Sequence, residues 1–205
     1  RALSGIALIN VLIAGLTAPA AQAPPEHTGP VNRWLIIVDT SRGMEPRTEP
    51  ARQIAGILVL SGMNGQMHRG DTIGLWTFNQ SLYAGAFPLQ DYRPETARTT
   101  AQRVVTYLQE QPNEKSSHLE KVMPEVDKLV KASEFITVVI ISDGSSKISG
   151  TPFDDKINET FDSWRTQQKK NNMPFITLLR ARRGVITDYI VNTPPWQLEL
   201  PPLPA

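Results

Sequence analysis

The sequence contains no cysteine, which excludes disulfide bonds and thiolate metal ligands. It has only three histidines and no HExxH pair, so the metalloprotease pattern is absent as well. Its formal net charge is +1, which gives no electrostatic basis for binding nucleic acid. With 205 residues, 40% hydrophobic and 20% charged, the chain is suited to one sizeable globular domain with short extensions.

Proline is abundant, at 17 residues, and it concentrates near both ends of the chain. Residues 6–16 form an uncharged apolar stretch as long as the core of a signal peptide, and small-residue A-x-A patterns follow it. We expect an exported protein, or one that associates with a membrane through residues 6–22, hence periplasmic or membrane-anchored in the cell envelope. A buried N-terminal helix is the alternative.

These features divide the chain into three parts. We predict a hydrophobic signal or anchor segment with a Pro-rich linker at residues 1–31. A folded domain is expected over residues 32–192, and an extended Pro-rich tail over residues 193–205.

Two apolar runs within the domain each end in an aspartate. One run leads from Trp34 into Asp39, and the other leads from Phe135 into Asp143. Unbroken runs rich in β-branched residues are typical of strands buried on both faces of a parallel sheet. Because open α/β sheets bind ligands at the carboxyl ends of their strands, we expect both carboxylates at one shared edge.

The remaining segments alternate between strand and helix patterns. Helices are predicted to begin near Thr48, Pro94, Ser116 and Thr151, and Pro124 is predicted to break the third of them. Further strands are predicted at residues 71–78, 81–87, 175–179 and 185–191, the first two forming a hairpin. The predicted fold class is α/β: a doubly wound, mostly parallel, Rossmann-like open sheet with one antiparallel edge strand and helices on both faces.

Four segments in register resemble the motifs of von Willebrand factor A (vWA) domains. Residues 38–44 (VDTSRGM) resemble the D-x-S-x-S-M motif, and residues 141–144 (ISDG) resemble the later Asp-Gly motif. Residues 70–78 and 117–123 are similar to the second strand and to the loop that carries a ligand hydroxyl. The resemblance implies a metal-ion-dependent adhesion site for Mg²⁺ or Mn²⁺, with ligands at four positions: Asp39, Ser41, Ser117 and Asp143.

The chain departs from that pattern at Gly43, where the family has a second serine. The remaining oxygen donors still suit a hard divalent cation, which keeps waters and leaves an open position for a partner's acidic side chain. Arg42 lies in the same loop, and its guanidinium is a candidate to bind such a carboxylate or to compete with the cation. Trp196 in the tail is a second candidate for partner binding.

Each candidate also has a purely structural interpretation. Ser117 with Glu120 three residues later fits a capping box, so Ser117 is alternatively a helix cap. Asp39 and Asp143 are alternatively acceptors for loop backbone N–H groups, and Ser41 an ordinary turn residue.

Three functions follow from these patterns. The first is a non-catalytic protein-binding module that uses the Asp39/Asp143 edge, with or without a cation. The second is a structural subunit of a membrane-associated complex, held by its apolar termini. The third is a phosphatase that forms an aspartyl-phosphate, but such enzymes need a second acid where this chain has Ser41. We therefore predict no catalytic residues and no enzyme activity.

Overall fold

The computed structural model describes residues 31–193 and Leu200. The predictions for the apolar segment at residues 6–22 and for Trp196 lie outside the described residues. Within the part of the chain that is described, no helix combines the length and the apolar character that a membrane span requires.

Within the described residues, seven strands form one sheet in the order β3-β2-β1-β5-β6-β7, with β4 also pairing with β2. The strands are β1 (Asn32–Asp39), β2 (Thr72–Phe78), β3 (Leu82–Tyr83), β4 (Gln90–Asp91), β5 (Phe135–Ser142), β6 (Phe175–Arg182) and β7 (Val185–Val191). The helices are α1 (Thr48–Leu60), the short α2 (Gly62–Gly65), α3 (Ala97–Gln109), α4 (Met123–Lys131) and α5 (Asp154–Lys170).

The three central strands are parallel, as the two apolar runs predicted. β1 lies between β2 and β5 and pairs in parallel with both. Val38 pairs with Ile141, so β1 and β5 end at the same edge of the sheet. We call this edge the rim; it begins at Asp39, the last residue of β1, and at Asp143, the first residue after β5.

Side chains of β1 alternate between two hydrophobic layers. Trp34, Ile36 and Val38 pack in a layer with α1 and α3. Leu35 and Ile37 pack in a second layer with α4 and α5. Because each face of the strand is covered by helices, every residue of the run is buried, and the apolar run is continuous. The predicted α/β class with helices on both faces is confirmed.

Antiparallel pairing extends further than the one edge strand that the sequence predicted. β3 is the predicted antiparallel edge strand, but β4 and β6 also run antiparallel to their neighbours. The connection through α5 returns to the rim, where Phe175 pairs with Ser142, and a connection that returns to its starting edge joins antiparallel strands. β6 and β7 form a two-residue hairpin in which Arg183 and Gly184 have φ values of 50° and 80°.

The predicted break near Pro124 is confirmed, since a 3-10 helix ends at Lys121 and a new helix, α4, begins at Met123 with Pro124 in its first turn. Thr48 does not cap α1. Its hydroxyl donates to the carbonyl of Met44, because a 3-10 helix over Arg42–Arg47 leads directly into α1.

Candidate cation site at the rim

Asp39 lies at the centre of the rim and is almost fully buried. It is the last residue of β1 and is 1% exposed. Its Oδ1 accepts a hydrogen bond from the backbone N–H of Ser41 at 2.7 Å, whereas its Oδ2 has no hydrogen-bond partner. Burial raises the pKa of Asp39 from 3.8 to about 6, against the lowering effects of the Ser41 N–H and the Ser117 and Ser41 hydroxyls. The negative charge of Asp143 makes a smaller contribution to this rise.

Two hydroxyl groups converge on the same carboxylate. The Oγ atoms of Ser41 and Ser117 are buried and, like Oδ2 of Asp39, have no hydrogen-bond partner. Both hydroxyls nevertheless lie close enough to Asp39 to lower its pKa. Three neighbouring buried oxygens without hydrogen-bond partners destabilise the folded state unless a further group binds to them.

The interpretation of Ser117 as a helix cap is wrong. The residue in the N-cap position of the 3-10 helix Leu119–Lys121 is His118, and no side chain caps that helix. Backbone hydrogen bonds instead hold the segment before this helix against the end of β1, from Glu114 N–H to the Thr40 carbonyl and from Arg42 N–H to the Lys115 carbonyl. This pairing brings the Ser117 hydroxyl to Asp39.

Asp143 faces Gly43 across the rim. Oδ1 of Asp143 accepts hydrogen bonds from the backbone N–H and the hydroxyl of Ser145, at 2.8 and 2.6 Å. A Cβ atom built on Gly43 would lie 2.0 Å from Oδ2 of Asp143 and 3.7 Å from Oγ of Ser41. The second oxygen of Asp143 thus occupies space beside Gly43 and on the same side as Ser41. The structure brings all four predicted ligand residues to one rim.

Arg42, the predicted partner-binding residue, is exposed beside this cluster. Its backbone N–H is fixed by the Lys115 carbonyl, at 3.0 Å. Within the described ranges, no salt bridge links the Arg42 guanidinium to Asp39 or Asp143. The guanidinium therefore does not fill the place of a cation between the carboxylates.

The sequence did not predict a chain of hydrogen bonds at the surface that joins Ser116, His118, Glu120 and Ser146. His118 Nε2 lies 2.9 Å from the Ser116 hydroxyl, and His118 Nδ1 lies 2.5 Å from a carboxylate oxygen of Glu120. The second oxygen of Glu120 accepts from Ser146, whose hydroxyl oxygen also accepts from the Leu119 N–H. These hydrogen bonds link the loop before α4 to the loop after β5. The i, i+2, i+4 spacing of Ser116, His118 and Glu120 was the only sequence signal for them.

A second buried aspartate, Asp71, shows how the same fold supplies hydrogen-bond donors to both oxygens of a buried carboxylate. Asp71 precedes β2 at the edge opposite the rim and is 1% exposed. It accepts from the backbone N–H groups of Asn32 and His68, both at 2.9 Å, and from the indole N–H of Trp34 at 3.4 Å. Both oxygens of Asp71 therefore have donors, whereas Oδ2 of Asp39 has none.

The donor set at the rim fits a hard divalent cation. Two carboxylates and two hydroxyls supply only oxygen ligands, as Mg²⁺ and Mn²⁺ prefer. Among the described residues, no group of three or more His, Asp or Glu side chains is placed to hold a metal ion, so any cation here depends on the serine hydroxyls and water. The three unpartnered oxygens are the observation that favours this arrangement.

Comparisons with known proteins add nothing to the fold class that the structure itself shows. No family model matches the chain, and no curated protein is found to be similar to it. One solved structure to which the chain is similar is an aerotolerance-related membrane protein from Bacteroides fragilis NCTC 9343 with multiple mutations to serines. The likeness has a TM-score of 0.40 and 18% identity, and it covers 62% of this chain and 62% of that chain. The match thus spans less than two thirds of that protein.

Proposed function

We propose that the chain is a non-catalytic protein-binding domain of the vWA type, which binds a partner through a Mg²⁺ or Mn²⁺ ion held at the rim. The ligands are Asp39, Ser41, Ser117 and Asp143. The observation that carries the proposal is the cluster of three buried oxygens, on Asp39, Ser41 and Ser117, that lack hydrogen-bond partners.

When bound, the cation supplies a positive charge with exchangeable water positions at the surface of the domain. The chain's own residues fix where that charge lies: β1 and β5 supply the carboxylates, and the loop before α4 supplies the Ser117 hydroxyl. Arg42 is exposed next to the cluster and adds a donor for the same carboxylate of a partner. We therefore propose that the partner presents an acidic side chain. Because residues 6–22 are apolar and uncharged, we propose that the protein functions in the cell envelope.

The proposal predicts that Ser41→Ala and Ser117→Ala weaken cation binding without unfolding the domain. Each substitution removes a hydroxyl that has no partner within hydrogen-bond geometry and only modestly favours the charged form of Asp39, so stability should change by less than about 1 kcal/mol. Binding of Mn²⁺, measured by calorimetry, should weaken by roughly 10- to 100-fold. Ser163→Ala, which removes an exposed hydroxyl on α5, is the matched control and should keep the affinity of the wild-type chain. Unchanged Mn²⁺ binding in both variants would contradict the proposed ligand set.

The second candidate function is a structural subunit that binds its complex without a cation. A groove of about 640 Å³ lies between α1 and α3, and the exposed side chains of Ile57 and Leu60 line it, at 59% and 48% exposure. Exposed aliphatic residues around a groove are typical of protein contact surfaces. The apolar tail supports this candidate less, because Leu200 packs against the domain's own core and its carbonyl accepts from Gln66.

One experiment separates these two functions. The partner retained by the immobilised chain should be lost in EDTA and with Arg42→Ala if binding uses the rim. It should be retained in EDTA but lost with Ile57→Gln if binding uses the groove. We expect the first result, with retention falling by about tenfold when a charge-assisted contact of about 1.4 kcal/mol is removed.

We also propose that the domain has no catalytic activity. The buried hydroxyls of Ser41 and Ser117 lie beside the Asp39 carboxylate, but neither is within hydrogen-bond geometry of it. Ser116 does have one in His118, but Ser116 is exposed at the surface. An activated hydroxyl needs an enclosed site with donors for the developing charge, and an exposed loop does not supply one.

A further inference from the structure

Gly43 differs from the resembled motif, and its surroundings give that difference a physical meaning. A Cβ atom at residue 43 would lie 2.0 Å from Oδ2 and 3.0 Å from Cγ of Asp143, far inside van der Waals contact. The carboxylate of Asp143 therefore occupies the volume that any side chain at position 43 would need.

The backbone at Gly43 is not free to retreat from Asp143. The Gly43 carbonyl accepts from Nη1 of Arg47 at 2.7 Å, and Nε of Arg47 donates to the Met173 carbonyl at 3.1 Å. Met44, the next residue, is 0% exposed in the core, and the Arg42 N–H is bonded to the Lys115 carbonyl. The 3-10 helix is thus anchored on both sides of Gly43.

Asp143 must therefore be the group that moves when residue 43 gains a side chain. Its present position is fixed by the two hydrogen bonds that Oδ1 accepts from Ser145, at 2.8 and 2.6 Å. Moving the carboxylate away from Gly43 strains or breaks those bonds, and it also carries Oδ2 away from the side of Ser41.

We infer that Gly43 is a positioning residue: the absence of a side chain there lets Asp143 reach the cation directly, in place of the hydroxyl that the resembled motif has at this position. The inference rests on the proposed cation site. Gly43→Ser restores the serine that the resembled motif has at this position. We expect it to weaken cation binding rather than strengthen it.

The contact between Gly43 and Asp143 is tested first without any cation. In EDTA, Gly43→Ala should lower the thermal midpoint by about 2–4 °C, as expected for a modest strain in a domain of this size. In an Asp143→Ala background the same change should leave the midpoint unchanged or raise it, because alanine restricts the unfolded chain and meets no carboxylate. Equal effects in the two backgrounds would overturn the inference.

Cation binding is tested second, by titrating Mn²⁺ into the wild-type chain, Gly43→Ala and Gly43→Ser. We expect both variants to bind roughly 10- to 100-fold more weakly than wild type. Glu45→Ala, an exposed change in the same 3-10 helix, is the control and should stay close to wild type. Gly43→Ser binding as tightly as wild type would overturn the inference. Failure of the wild-type chain to bind Mn²⁺ would overturn the proposed cation site, and the cation part of this inference with it, while the cycle in EDTA still decides the Gly43–Asp143 contact.

Discussion

Asp39→Asn should make the cation-free domain more stable at neutral pH while abolishing its binding of Mn²⁺. The carboxylate of Asp39 is buried with one oxygen unpaired, and its pKa of about 6 shows that the folded protein disfavours its charged form. Asparagine keeps an oxygen for the Ser41 N–H and places an NH₂ group toward the unpartnered hydroxyls. It supplies no charge for a divalent cation.

The expected gain in unfolding free energy follows from the difference between the pKa of Asp39 in the unfolded chain and in the folded domain. A carboxyl with a pKa of 3.8 in the unfolded chain and about 6 in the folded domain costs about 2–3 kcal/mol when ionised. Chemical denaturation in EDTA at pH 7 should therefore show Asp39→Asn more stable than wild type by about 2 kcal/mol, with calorimetry showing no Mn²⁺ binding. A destabilised Asp39→Asn would mean that the Asp39 carboxylate is structural.

Asp71→Asn is the matched control, since both residues are aspartates of 1% exposure at opposite edges of the sheet. Both oxygens of Asp71 accept hydrogen bonds from backbone N–H groups. An asparagine side chain there would place its NH₂ group against one of these N–H donors. We expect Asp71→Asn to destabilise the domain by about 2–3 kcal/mol and to leave Mn²⁺ affinity unchanged.

The second large effect is a loss of stability with rising pH in the cation-free protein. Well below pH 4, Asp39 is protonated in both the folded and the unfolded chain and does not change the stability of the domain. Between pH 4 and about 6, the unfolded chain loses this proton first, so the folded domain holds more protons and stability falls as pH rises. Above about pH 6 the full cost of about 2–3 kcal/mol is present and no longer changes.

We would measure the unfolding free energy of wild type and Asp39→Asn from pH 4 to pH 8. The difference between the two proteins separates the contribution of Asp39 from that of the other carboxylates. Saturating Mg²⁺ should reverse the loss at pH 8, adding about 2.7 kcal/mol at one hundred times its dissociation constant, and should have no effect at pH 4. A difference that is flat across this range would show that Asp39 does not titrate near pH 6.

The central strands β1 and β5 were predictable because each is marked by a continuous apolar run in the local sequence. The runs ending at Asp39 and Asp143 identify buried strands, and the rule that open sheets collect strand ends at one edge places both carboxylates on the rim. The direction of β6 was not predictable. A run such as residues 175–179 is buried on both faces whether its neighbour is parallel or antiparallel, so its pattern carries no information on direction.

The candidate site was predicted by residue type but not by geometry. Ser117 fits a capping box in sequence, yet backbone pairing between the Thr40 loop and Glu114 determines where its hydroxyl points. The role of Gly43 depends on which way the Asp143 carboxylate turns, and that is fixed by Ser145 after β5. Such contacts join segments about a hundred residues apart, and no spacing rule reports them.

The antiparallel course of β6 also determines how the domain responds to mechanical load. The chain enters β1 at the edge opposite the rim, and β7 leaves the sheet at the rim, where Val191 pairs with Thr177 near the start of β6. Tension between the two ends of the sheet therefore slides β7 lengthwise along β6, so that the hydrogen bonds of this pair resist together instead of opening in succession. Resistance to such pulling is governed by the unfolding rate rather than by equilibrium stability.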